Sequence, residues 1–440
     1  MQKADCMILP QWIVPVEPEG VVLEDHALVI DAGRIVAVEP TADAQHNWKP
    51  GHLIERPGQA LLPGFVNAHT HSPMSLFRGM ADDMALEDWL GQHIWPAEVR
   101  WVSEDFVRDG VDLAMAEMLR GGTTCFADMY FFPDVIAQRA AEMGMRACVG
   151  MIVIDLETVW AKDFEEYLAK GIHVHDQYRE HPLVSTMFAP HSTYMVSDAN
   201  LEHVRTLADE LDTPIQTHVH ETPAEVAESV TKHGKRPLER LEQIGMLNPL
   251  LAAVHMTQLE QKEIGRLAEK GASVVHCPES NLKLASGFCP VAKLLEAGIN
   301  VALGTDGAAS NNDLDMLAET RTAALLAKGV AGDAAALSAA AALSMATING
   351  ARALGLSHET GSLLPGKWAD LCCINLDVPA TQPVYNPVSQ IVYAASRDQV
   401  TDVWVAGEQL LAEGELVDAD ESEIIARAHA WQSRIAASDQ

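Results

Sequence analysis

The chain is short of positive charge: 30 Lys and Arg stand against 62 Asp and Glu, a formal net charge of −32 over 440 residues. Neutralising nucleic-acid phosphates or anionic lipid headgroups takes clustered cations, so neither is an expected partner, and the acidity reads as a solvated surface. Cysteine is sparse as well. The seven cysteines (Cys6, Cys125, Cys148, Cys277, Cys289, Cys372 and Cys373) are odd in number and form no C-x-x-C pair. That pattern points to a reducing, cytoplasmic setting rather than a disulfide framework, with each thiol a small buried hydrophobe. Adjacent Cys372 and Cys373 are expected on opposite faces of one strand. No apolar run reaches the roughly 18 residues of a membrane span, and the apolar stretch in MQKADCMILPQW is too short for a signal peptide. At 48% hydrophobic and 21% charged residues, the composition is that of a globular protein.

What is present is a change of texture along the chain. Residues 6–60 and 361–417 read as short strands with turn signals, and Ile424, Ile425, Ala428, Trp431 and Ile435 then recur at helical spacing. Between the flanks, eight apolar strand candidates alternate with helical segments, at 61–71, 123–129, 146–153, 183–192, 214–221, 251–257, 272–278 and 300–307. Ser103 is a candidate N-cap for one such helix, with Gly121 past its end. Eightfold strand–helix alternation predicts an α/β fold, a (β/α)8 TIM barrel. A small β-sandwich built from both termini joins it. The expected division is a composite domain of 1–60 plus 361–440, including the C-terminal helix, and a barrel of 61–360. A doubly wound sheet is the alternative, weakened because no G-x-G-x-x-G follows any strand.

His69, His71, His191, His218, His255, His276 and Asp306 all fall at or near the C-terminal end of a predicted strand. In a barrel those ends converge on one mouth, and burying so many polar groups separately would require a partner for each. Residues i and i+2 of a strand share a face, so His69 and His71 can bind one cation from a single strand. The chain has three H-x-H triplets. His173-Val-His175 reads as solvated and non-catalytic, whereas His218-Val-His220 competes as a ligand source. Asp306 supplies a carboxylate across the ring closure, and Glu221 follows the His-Val-His triplet at the mouth as a proton carrier. Imidazoles with one carboxylate favour zinc, or another borderline divalent ion, over magnesium or calcium.

The run PGFVNAHTHSPMSLFRGMADD, with QTHVHET, VHMT, HCPESNLKL, LGTDGAASNNDLDM and GSLLPGKWADL, resembles the amidohydrolase superfamily over nearly the whole chain. More closely, it is similar to the methylthioadenosine/S-adenosylhomocysteine deaminase branch, related to chlorotriazine hydrolases. The resemblance implies one metal per subunit, held by His69, His71, His218 and Asp306. VSTMFAPHS, at the fourth strand, has no lysine to bridge a second metal. It further implies Glu221 as the acid that protonates a purine ring nitrogen, His255 as the contact to the attacking water and Asp306 as base. Glu98 would accept hydrogen bonds from ribose hydroxyls, and His191 would contact the purine; His276 has a supporting place only. The other zinc deaminase design, H-x-E with P-C-x-x-C, is missing from the chain.

The implied activity is hydrolytic deamination of an adenosine derivative to its inosine form. Relatives that favour adenosylhomocysteine hold its carboxylate with arginines after the third strand. Here CVGMIVIDLETVWAKDFEEYLAKG carries Met151, Ile152, Trp160, Asp155 and Glu157, with Lys162 and Lys170 the only cations. A carboxylate leaving water without a cation pays several kcal/mol of solvation, which favours 5′-methylthioadenosine over adenosylhomocysteine and adenosine. The alternative is an amidohydrolase acting on guanine, cytosine or a triazine. A homodimer or higher homo-oligomer is expected from kinship alone.

Overall fold

The computed structural model describes residues 1–438. Eight parallel strands form the barrel: Phe65–Thr70, Thr123–Asp128, Arg146–Val153, Val184–Pro190, Ile215–Val219, Leu251–His255, Ser273–His276 and Val301–Leu303. They are buried nearly throughout, as strands covered on both faces must be, which is why they read as apolar runs rather than alternating ones. The ring closes between the eighth and first strands. There Asp306 N–H donates to the His69 carbonyl at 3.0 Å, and the Asn67 amide binds Thr305 through its N–H and Oγ1. A Cβ on Gly304 would lie 2.8 Å from the His69 backbone nitrogen, so this seam needs glycine.

The first strand candidate is divided. Residues 61–63 finish a long strand, Trp48–Pro63, of the flanking sheet, and the barrel begins at Phe65. Gly64 makes the turn between them because any side chain there would overlap Thr124, 2.1 Å away. Trp48–Pro63 pairs in parallel with Gln2–Ile13 and antiparallel with Leu371–Asn375. The two termini thereby share one nine-stranded mixed sheet. The sandwich is this single sheet folded over: Ala369 bonds both the Gly33 carbonyl and the Gly407 N–H, joining two hairpin turns that are remote along the sheet. Cys372 and Cys373 do face opposite ways, one into the barrel-side core and one into the sheet's own core.

Two contacts seat the barrel on its flanks. Arg146, at the start of the third strand, is buried and forms a paired bond to Asp370 (Nε to Oδ2, 2.7 Å). The C-terminal helix, Glu421–Ser438, lies not on the sheet but along the barrel helix Glu104–Arg120. Trp431 packs edge-on to Phe106 and donates to Asp109 at 2.8 Å. Ile424, Trp431 and Ile435 are its buried face, while Ile425 is exposed. Ser103 caps Glu104–Arg120 through the Phe106 N–H, as expected. Among the described residues, no helix is long and apolar enough to cross a membrane.

Candidate active site

The ligand atoms of His69, His71, His218 and Asp306 all lie within 4.8 Å of one another. Nε2 of His69 is 3.1 Å from Nε2 of His218. Asp306 Oδ1 is 3.2 Å from Nε2 of His71 and 3.6 Å from that of His69. Each ring is fixed through its other nitrogen. Nδ1 lies 2.6 Å from Gln216 Oε1 in His69, from the Met129 carbonyl in His71 and from the His191 carbonyl in His218. Gln216 is itself oriented, its amide N–H donating to the Ala68 carbonyl at 2.8 Å. These oxygens accept only, so each Nδ1 carries the proton and each Nε2 presents a lone pair to the common centre. Lone pairs of His69 and His218 facing at 3.1 Å repel unless a cation lies between them. The donor set therefore fits a divalent metal of the zinc kind.

Asp306 accepts from Ser280 Oγ at 2.7 Å, Ser310 Oγ at 3.2 Å and the Gly307 N–H at 2.9 Å. Burial alone would raise its pKa, but the His69 and His71 rings beside it hold the carboxyl well below the usual range. It stays an anion, as a metal ligand must.

Beside this cluster, Glu221 and His255 face each other, with Oε2 and Nε2 3.8 Å apart. Burial, then the charge of Asp306, pushes Glu221 up to about 8. A carboxyl that keeps its proton at neutral pH can donate it. Burial lowers His255, and its Nδ1 bonds Asn281 Oδ1 at 2.9 Å. The turn that presents Glu221 depends on Glu225, whose carboxylate accepts from the His220 and Glu221 N–H groups at 3.1 and 2.6 Å. His220 has φ +56 there, and the strand stops at Val219, so strand alternation no longer governs its direction. Its buried ring instead accepts from the Leu238 N–H at 3.1 Å and anchors the helix Pro237–Gln243. The competition between His218 and His220 ends on that turn.

A cavity of about 540 Å³ rises from the floor, reached by His71, His191, His218, Glu221, His255 and Asp306, with Glu98 on its wall. His191 points in with a buried, unpartnered Nδ1, and burial lowers its pKa to about 3. Glu98, on the helix Trp95–Trp101, accepts from the Tyr130 hydroxyl at 2.8 Å, and burial raises it to about 7. His276 is not brought into the cavity; it is buried behind it, and its Nδ1 lacks a partner. His173 is exposed on the helix Phe164–Tyr178, and His175 bonds Thr186 at 2.7 Å, both away from the site.

The outer wall is largely apolar, and among the described residues no Lys or Arg lines the cavity. Lys170 is turned to the Trp160 carbonyl and Glu166, and Lys162 lies by Asp163. Of the apolar residues expected there, Ile152 lines the cavity, whereas Met151 packs on Gly171 and Trp160 on Phe132. Tyr130, Gln216 and Glu225 were not singled out from the sequence. Gln216 could have been found: it lies two residues before His218 on a buried strand and so shares its inward face.

A barrel with three imidazoles and a carboxylate converging at its strand ends, next to a buried carboxyl whose pKa is pushed up, defines a metal-dependent hydrolase. The chain belongs to the amidohydrolase family, whose model matches residues 60–410. Within that family it falls in the methylthioadenosine/S-adenosylhomocysteine deaminase branch. It is 51% identical to the 5-methylthioadenosine/S-adenosylhomocysteine deaminase of Teredinibacter turnerae, over 97% of this chain and 96% of the relative. It is 43% identical to the 5′-deoxyadenosine deaminase of Methanopyrus kandleri, over 94% and 95%. The crystal structure of an adenosine deaminase from Xanthomonas campestris with bound zinc superposes with a TM-score of 0.98, at 55% identity and 99% coverage of each chain.

Proposed function

We propose that this chain is a zinc-dependent deaminase of 5′-substituted adenosines, with 5′-methylthioadenosine the preferred substrate. The observation that carries the reading is four converging metal-ligating side chains beside a buried Glu221, at the floor of an apolar cavity lined by no Lys or Arg among the described residues. His69, His71, His218 and Asp306 would hold a zinc ion, which would supply a water activated at neutral pH. Glu221 places its proton on the ring nitrogen next to the amino-bearing carbon, which makes that carbon electrophilic. His255, neutral and fixed by Asn281, orients the incoming oxygen, and anionic Asp306 takes up its proton. The proton then passes to the amino group, which leaves as ammonia, and the remaining hydroxyl proton restores Glu221, so water is consumed and an inosine-type product remains. His191 meets the purine, and Glu98, held by Tyr130, accepts from the ribose hydroxyls.

The preference for a neutral 5′ end follows from the wall. The carboxylate of adenosylhomocysteine would meet no cation there, and its lost solvation would go uncompensated. The seven cysteines, all free and all but Cys6 buried, suit a reducing cytoplasm. Zinc-loaded protein should release ammonia from methylthioadenosine with a larger kcat/KM than from adenosylhomocysteine or adenosine. Ammonia from guanine, cytosine or a triazine alone would overturn the reading.

A further inference from the structure

The solvent-exposed part of the cavity lining has a character distinct from its floor. Trp95, Val99, Leu156 and Val159 are exposed and, with buried Ile154, form an apolar wall toward the mouth of the cavity. One further charged side chain lies on that wall: Glu157, in the loop after the third strand. Its carboxylate is exposed and makes no hydrogen bond or ion pair with any described residue, whereas neighbouring Asp155 is engaged by the Ser197 N–H and Asn200. An anion without an internal partner, at the end of an apolar wall that holds no cation, is complementary to an apolar chain ending in a positive charge. The net charge of −32 works the same way at long range, favouring the approach of cations and opposing that of anions.

We infer that the outer end of the cavity is a subsite for 5′-thioether tails that are apolar and end in an ammonium group, and that Glu157 sets this selectivity. The inference rests on the deaminase reading above and adds a second substrate class to it. Amine-tailed 5′-thioadenosines are accepted, carboxylate-tailed ones are disfavoured, and zwitterionic adenosylhomocysteine falls between them.

The test is a matched series of 5′-deoxyadenosine derivatives carrying butylthio, aminopropylthio or carboxyethylthio groups, assayed by ammonia release on zinc-loaded enzyme alongside methylthioadenosine. In the unaltered protein kcat/KM should be higher for the aminopropylthio than for the carboxyethylthio compound. Glu157→Gln should lower the aminopropylthio-to-butylthio ratio by roughly 1.5- to fivefold, the range an exposed ion pair supports. Glu157→Arg should reverse the order of the two charged compounds, and added salt should compress both effects. Because each ratio is taken within one variant, a general loss of activity or folding cancels. Unchanged ratios in both variants, with methylthioadenosine turned over normally by the unaltered protein, would overturn the subsite. No turnover of methylthioadenosine by the unaltered protein would instead overturn the deaminase reading.

Discussion

At the floor of the cavity the side chains are polar and held by others, whereas along its outer wall they are mostly apolar and exposed. His69, His71, His218, Asp306 and His255 each have a fixed hydrogen-bond partner and are nearly inaccessible, except for the partly open His71. On the outer wall Val99 is 87% exposed, Leu156 58% and Val159 52%. The floor is built from strand ends, whose positions the barrel's hydrogen bonds set. The wall comes from the loop after the third strand and from the segment after the first, which includes a π-helical turn, Trp89–Ile94. Single π-turns recur at functional sites. The division assigns rate to the rigid part and selectivity to the adjustable part, as expected where loops on a fixed scaffold carry specificity.

That division can be broken most sharply at the metal. Dialysis against a chelator should abolish activity, and zinc should restore it. Loss of metal without loss of rate would remove the floor from the chemistry. Next in size, Glu221→Gln should lower kcat by about 10²- to 10⁴-fold, the usual worth of a positioned general acid, with metal content unchanged. A full rate in that variant would refute the proton-carrier role. Gln216→Ala tests the floor one step back, since it frees Nδ1 of His69. Metal affinity should fall by about 10- to 100-fold, measured by competition with a chromogenic chelator.

The pH profile sharpens the same contrast. Glu221 acts in its protonated form and is pushed up to about 8, so kcat/KM should fall on the alkaline side as pH rises through that value. Stability has the same sign. The folded pKa lies above the ordinary value of 4.5, so the native state binds the extra proton. The contribution is fully present below the unfolded pKa and is lost as pH rises through about 8. An alkaline limb that stays in place in Glu221→Gln would assign it to another group.

How much of this could be read in the sequence follows the same boundary. The eight strands, the ligands and Glu221 were legible because buried parallel strands are apolar runs and each chemical group closes one of them. What escaped depends on partners far away in sequence. Gln216 orients a ring 147 positions distant, and Tyr130 holds a carboxylate 32 positions back. The C-terminal helix showed its apolar face but not its neighbour, because nothing in its periodicity distinguishes a barrel helix from a sheet. His220 was ambiguous because a positive φ one residue past the strand end leaves no mark in a His-Val-His triplet.

A smaller effect is expected where the two regions meet, at Tyr130 and Glu98. Tyr130 follows the second barrel strand, while Glu98 sits on the helix after the π-turn, so their 2.8 Å bond ties wall to floor. Tyr130→Phe keeps the ring, which is 4% exposed, and removes only the hydroxyl. The Glu98 carboxylate then loses one donor and its fixed direction, at a cost of about 0.5 to 1.5 kcal/mol for a single hydrogen bond. If Glu98 meets the ribose hydroxyls alike in the ground and transition states, that loss appears in KM, as roughly a two- to tenfold rise, with kcat nearly constant. Substrates lacking a ribose hydroxyl should not feel it, so the variant and wild-type values should converge for a 2′,3′-dideoxy analogue. A fall in kcat of the Glu221 size would instead place Tyr130 in the floor's machinery and move the boundary between rate and selectivity outward by one residue.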